Sequence, residues 1–288
     1  MTVYIVAVGN YYEQYSGELP PLKNLVQETV GSNIRRVGRF IQLALIGAGR
    51  ASSQLADDAA VYLTSGCGDV DVTVNVLNTI YRQGEAPRPL SFINTVSNAA
   101  CFYIAQSLGL KGASSFVSSR YFAVETSLRV ALLALEQGQQ QAALIGAVDI
   151  VVLPIEEHRR RLGLGAQTDV AEGSHWFQLV SDASDRSVLA TLDAVQHFPD
   201  RQVLAAWLSA LTFSAEDCLA LGQMIESAEA DQWLAETGLS QFNFCESIAH
   251  FNSQAGIVFC EFVRRGCGRL IYLNRDPVGR YMAVVIRC

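Results

Sequence analysis

The sequence predicts an α/β fold of packed layers, and three observations carry that expectation. Residues 112–149 read in order as strand, sharp turn, long helix and second strand. Residues 142–153 form an almost unbroken apolar run interrupted only by Asp149, which suits a strand covered on both faces and is too short to cross a membrane. Two successive blocks of alternating strands and helices then predict two similar halves, 1–155 and a shortened 156–288, closing together into one compact domain. No sequence identity links the halves, so the duplication rests on the order of elements alone.

Each element has its own signal. Residues 3–8 read as a first strand, because the apolar start has no basic residues ahead of it as a signal peptide would. A polar loop over 11–22 ends in Pro20 and Pro21. Residues 33–51 have a helical pattern, with Arg35, Arg36 and Arg39 ahead of Ile41, Leu43, Ala44 and Ile46; such a cluster is a solvated face, a salt-bridge donor or the lining of an entrance. A strand over 60–65 meets a glycine turn at 66–69 and a helix over 72–83. Gly66 and Gly68 could present amides to a phosphate, but GxxxxGK[ST] and GxGxxG are both absent, which leaves a tight turn. A further helix starts near Thr95, with Asn94 or Thr95 as its cap.

Residues 115–119 suit a short buried strand. Ala123, Val124, Ser127, Leu128, Ala131, Leu132 and Leu135 then recur at helical spacing up to Gly138. Past Leu153 the glycines and the run His158, Arg159, Arg160, Arg161 predict a surface excursion, with His158 and His175 on loops or the surface. Strands follow over 173–181 and 187–195, and helices over 204–211 and 215–236. The last third repeats strand, turn and helix, then closes on a strand hairpin.

Composition narrows the function. A chain of 288 residues that is 50% hydrophobic can bury a large core. A net charge of -7 argues against a binder of nucleic acid or of an anionic membrane, since those need a basic face. The seven cysteines have neither CxxC spacing nor neighbouring His ligands, which predicts core thiols in a reducing cytoplasm, with no metal and no cofactor.

The turn at Arg120 and Tyr121 is the chemical focus, since a strand feeding a helix N-terminus favours anions and exposed nucleophiles. Around it the residues carry a resemblance. The run NTVSNAACFYIAQSLGLKG, a strand, an elbow, a helix ending in glycine and QAALIGAVD resemble the β-ketoacyl synthase branch of the thiolase-fold condensing enzymes. The family pattern overlays 98–149 without a gap. ESIAHFNSQAG resembles the KSxxGHxxxASG segment and places His250 on the second active-site histidine, while LNRDPVGRYMAVVI follows the closing NSFGFGGTNxxxxL with Asn274 and Gly279 kept. The resemblance implies a thiolase-like αβαβα fold.

The departures shape the expected function. Tyr121 stands where the family has its acyl-accepting cysteine, and a phenol is protonated at neutral pH and does not shuttle acyl groups. The region of the HGTGT histidine reads ALTFSAEDCLALG, without histidine, and the lysine of KSxxGH is replaced by Cys245, followed by Glu246. Decarboxylative condensation needs a thioester-forming nucleophile and donors for the developing oxyanion.

The resemblance therefore implies a subunit similar to the chain-length factors of type II polyketide synthases. Such a subunit pairs with a cysteine-bearing ketosynthase and meets acyl carrier protein through that complex. Residues 114–119, including Ser115, Val117 and Ser119, would form the interface strand, and Leu90, Ser91 and Phe92 would reach toward the partner's site. Tyr121, with Arg120 and Phe122, would plug the pocket. Two alternatives stay open. One is an acyltransferase or decarboxylase using His250 with Asn252 or Asn274; the other is a structural homodimer. A nucleophilic Ser118 or Ser119 would need His250 beside it as a base.

Overall fold

The computed structural model describes residues 1–31, 37–242 and 248–288. The first half of the chain contains β1 (Val3–Gln14), α1 (Lys23–Val30), α2 (Arg39–Arg50), β2 (Ala60–Thr64), α3 (Val70–Tyr81), α4 (Pro89–Ile93), α5 (Ala99–Leu108), β3 (Ser114–Val117), α6 (Ala123–Glu136) and β4 (Ala142–Asp149). It continues with α7 (Ile155–Leu162), β5 (Ala171–Val180), β6 (Ala190–Phe198), α8 (Arg201–Ser209), β7 (Cys218–Leu221), α9 (Ser227–Thr237), β8 (Ser240–Gln241), α10 (Gln254–Arg265), β9 (Arg269–Arg275) and β10 (Tyr281–Arg287).

The ten strands run in the order β3-β2-β4-β5-β1-β6-β10-β9-β7-β8. Counted from β6 onward, the last five strands repeat the order of the first five in mirror sense about the β1 and β6 junction. The directions repeat too. β2 is parallel to β3 and β4, as β7 is to β8 and β9, while β5 and β10 are antiparallel to their neighbours. The duplication expected from element order alone is therefore present in the topology. In this order β5, which follows residue 155, stands among the first five strands.

Period-two alternation sets the layers. On β4, Ala143, Ile145 and Ala147 face one core and Leu144 and Val148 another; on β9, Leu270 and Tyr272 oppose Ile271 and Leu273 in the same way. The shared inner core belongs to α6 and α10, whose apolar faces pack between the two sets of strands. α2 and α5 cover the outside of the first set, and α8 and α9 the outside of the second. This is the five-layered αβαβα arrangement. Among the described residues no helix is long and apolar enough to cross a membrane.

Several expectations are corrected. The polar loop over 11–22 begins late, because β1 pairs with β5 as far as Gln14 opposite Ala171. The helix over 215–236 is in fact β7 followed by α9; Cys218–Leu221 is claimed by parallel pairing with β9. Asn94 closes α4 without capping α5, whose N-cap is Asn98. His158 and His175 are buried, at 3% and 0% exposure, one on α7 and one in the middle of β5. β5 is buried along its whole length, so its polar residues depend on partners inside, although His175 Nε2 has none among the described residues.

Arg39 provides one such partner. Its guanidinium grips both carboxylate oxygens of the fully buried Glu172 and donates to the Pro20 carbonyl at 2.9 Å. Of the basic cluster ahead of α2, Arg39 is thus a salt-bridge donor; Arg35 and Arg36 lie outside the described residues.

Candidate functional site

The elbow forms where β3 ends and α6 begins. β3 is the outermost strand and pairs only with β2 among the described residues, so the chain must turn inward to bury α6 against β4. Phe122 is the N-cap residue of α6, is buried, and meets His197 edge-on at 6.3 Å between centroids. That anchor leaves Tyr121 half-buried at the helix N-terminus, with the Arg120 guanidinium 5.3 Å above its ring. Val117 and Tyr121 pack against the inner core.

Arg120, Tyr121, His250 and Asn274 line one cavity of about 520 Å³, although they come from three distant parts of the chain. Ser115, Val117 and Ser119 lie along β3 and its exit, outside the cavity wall; Ser118 and Ser119 do not share it with His250. Leu90, Ser91 and Phe92 sit on α4, with Phe92 61% exposed and Ser91 facing a separate depression against α3. Cys245 and Glu246 fall outside the described residues.

Sequence reasoning missed four residues that tertiary structure brings to the same wall. Cys67 comes from the glycine turn after β2, Arg161 from α7, Gln223 from the segment after β7, and Glu125 from the first turn of α6. Gln223 follows the stretch where the resemblance would put the first histidine, and its amide donates to the Phe251 carbonyl at 3.1 Å. A glycine is required at 66, because a Cβ there would collide with the side chain of Asn252.

A buried carboxylate fixes this geometry. Asp149, at the end of β4, accepts from Ser65 Oγ at 2.8 Å and from the Gly66 amide at 2.9 Å. The turn carrying Cys67 is thereby tied to the central strand. His250 is held by its backbone, donating to the Asp169 carbonyl and accepting from the Ala171 amide.

Electrostatics decide what these groups can do. Burial pushes the Cys67 thiol up to about 11, with the Asp149 carboxylate adding to it, so the cavity's cysteine is a protonated thiol at neutral pH. Burial also lowers His250 below the ordinary histidine range and keeps its imidazole neutral. The Glu125 carboxyl is raised to about 7 by burial, against the opposing hydrogen bond that Asn274 Nδ2 donates at 2.6 Å. Among the described residues no group of three or more His, Cys, Asp or Glu is placed to hold a metal ion.

The strand order and the layers are those of a thiolase-like fold. Residues 33–164 match the family model of the beta-ketoacyl synthase N-terminal domain, the stretch that contains the elbow and the Asp149 strand. No curated protein matches by sequence. Among solved structures, the chain is similar to the ishigamide ketosynthase/chain length factor, with a TM-score of 0.76 at 14% identity, covering 100% of this chain and 99% of that one. A beta-ketoacyl synthase from Burkholderia phymatum STM815 gives 0.73 at 12% identity over 99% of both chains. The AntDE:AntF complex, described as a type II PKS acyl-carrier protein with its ketosynthase bound to the hexaketide, gives 0.72 at 13% identity over 100% and 99%. At these identities the likeness is one of fold.

Proposed function

We propose that this chain is a catalytically silent ketosynthase-like subunit, similar to a chain-length factor, that pairs with a cysteine-bearing ketosynthase in polyketide or fatty-acid-type chain elongation. The observation that carries the reading is Tyr121: a phenol occupies the N-terminus of the central helix, in the wall of the cavity that also holds His250 and Asn274. The nearby thiol of Cys67 is pushed away from ionisation and so does not replace the missing nucleophile. Two guanidinium groups, Arg120 and Arg161, suit an anionic ligand group in the same cavity.

Two surface features support pairing. β3 has an open backbone edge with Ser114 and Ser115 exposed, which is a template for strand addition. On the same half, α3, α4 and α5 expose Leu77, Ile80, Tyr81, Phe92, Ile93 and Phe102, large apolar side chains of the kind found at protein interfaces. The partner would supply the cysteine, bring acyl carrier protein and work in the reducing cytoplasm that the free thiols suit.

Co-expression with a cysteine-bearing ketosynthase of the same organism, followed by native mass measurement and product analysis, tests the proposal. A complex containing one copy of each chain is expected, with longer products when Tyr121 is replaced by Ala. Recovery as a homodimer alone, or covalent acylation of the isolated chain by an acyl thioester, would overturn it.

A further inference from the structure

Glu125 stands out in the cavity wall as a buried acid. It is 1% exposed and lines the wall four residues past the elbow. Its hydrogen bond comes from the neutral amide of Asn274, and among the described residues no cation is paired with it. A carboxyl buried away from any cation is costly as an ion, and such groups concentrate where protons are exchanged. The same cavity wall carries Tyr121 on the elbow, Tyr272 and Asn274 from β9, His250 from the segment before α10, and Cys67 from the turn after β2. Arg120 and Arg161 complete the charged groups of the wall.

We propose that Glu125 is a general base for the acidic hydrogen between the two carbonyls of a β-ketoacyl thioester. In the step, the Cα–H bond breaks and its proton moves to the Glu125 carboxylate, while the bonding pair shifts to a carbonyl oxygen and gives the enolate. Return of a proton to the same carbon closes the cycle, so no leaving group and no redox partner is needed. A donor for the enolate oxygen is at hand in Asn252. Its Nδ2 spends a hydrogen on Cys67 Sγ at 3.5 Å, a weak acceptor that a ligand oxygen displaces readily. Burial places Glu125 near pH 7, where a base is both sufficiently ionised and sufficiently strong.

The inference rests on the acyl-thioester reading above, in which silence means the absence of condensation, and it concerns this chain alone, so it is tested without a synthase. The isolated full chain is mixed in D2O with an α-methyl-β-ketobutanoyl N-acetylcysteamine thioester, and loss of the α-hydrogen is followed by proton NMR against buffer. Wild type is expected to accelerate exchange on the order of a hundredfold, with Glu125→Gln returning it to the buffer rate. After subtraction of the buffer rate, the wild-type profile should rise with pH to a plateau with its midpoint near 7. Exchange no faster than buffer, an undiminished rate in Glu125→Gln, or a flat wild-type profile between pH 6 and 8 would each overturn it. Because the pH profile needs no variant, misfolding of Glu125→Gln does not shield the idea. A negative result leaves product length in the synthase complex free to support the pairing role.

Discussion

Asn274 Nδ2 donates to Glu125 Oε1 at 2.6 Å, joining the closing hairpin to the first turn of the central helix. The same amide reaches the Tyr121 carbonyl at 3.4 Å, so one side chain positions both the elbow and the buried carboxyl. The acid is raised to about 7 by burial. The folded protein therefore holds a proton that the unfolded chain releases near the ordinary carboxylate range. Stability from this group is whole below that range and is lost as pH rises toward 7, by about 3 kcal/mol. Glu125→Gln removes the titration while keeping a hydrogen-bond acceptor. Urea unfolding at pH 5 and pH 8 should show the variant gaining stability relative to wild type at the higher pH.

His158 works in the opposite sense. Burial, helped by Arg161 and His250, lowers it to about 4, and its Nδ1 finds no partner among the described residues. The unfolded chain takes up a proton that the folded imidazole refuses. Stability is thus complete above about pH 6.5 and drains as pH falls toward 4, by up to about 3 kcal/mol. His158→Gln should flatten that acid limb in urea unfolding between pH 6.5 and 4.5.

The histidines show where the sequence stopped being legible. His158 follows an acidic pair and precedes three arginines, so local composition argued for the surface; the tertiary fold buries it and brings it within electrostatic reach of His250. Tyr121, His250 and Asn274 were singled out because each lies within a run that resembles a family segment, and the three line one cavity. Cys67, Arg161 and Gln223 were not, since the turn, helix and strand exit that carry them meet only in three dimensions. Glu125 could have been found. It shares helical spacing with Leu128, Leu132 and Leu135, and a carboxylate on an apolar stripe signals burial.

The Arg39 and Glu172 pair predicts the largest single-site loss of stability. Glu172 is fully buried on β5, and burial raises its carboxyl even though Arg39 opposes the shift. Arg39→Ala would leave that carboxyl without its cation and should cost about 3–5 kcal/mol in urea unfolding. Adding Glu172→Leu to Arg39→Met should restore most of the loss, because the buried charge then disappears together with its partner. A single Arg39→Ala variant as stable as wild type would show that the pair holds α2 to β5 weakly.

Placing a thiol at the elbow should not produce condensation. Tyr121→Cys puts sulfur at the N-terminus of α6, where the helix dipole favours a thiolate. The ring lost is half-buried, so the void should cost less than a fully packed core aromatic, and the fold should persist. Acylation of the new cysteine by an acyl thioester is the expected gain, visible as a mass increase. Carbon–carbon bond formation needs more. His250 is the lone imidazole of the cavity wall among the described residues, and the segment after β7 offers Gln223 and Met224 where a second would be needed. With one neutral histidine, the enolate released by decarboxylation lacks the paired donors that stabilise it. The variant should therefore carry acyl groups without elongating them when supplied with malonyl and acyl carrier thioesters. Detection of β-ketoacyl product would mean that Asn252, Gln223 and His250 together suffice.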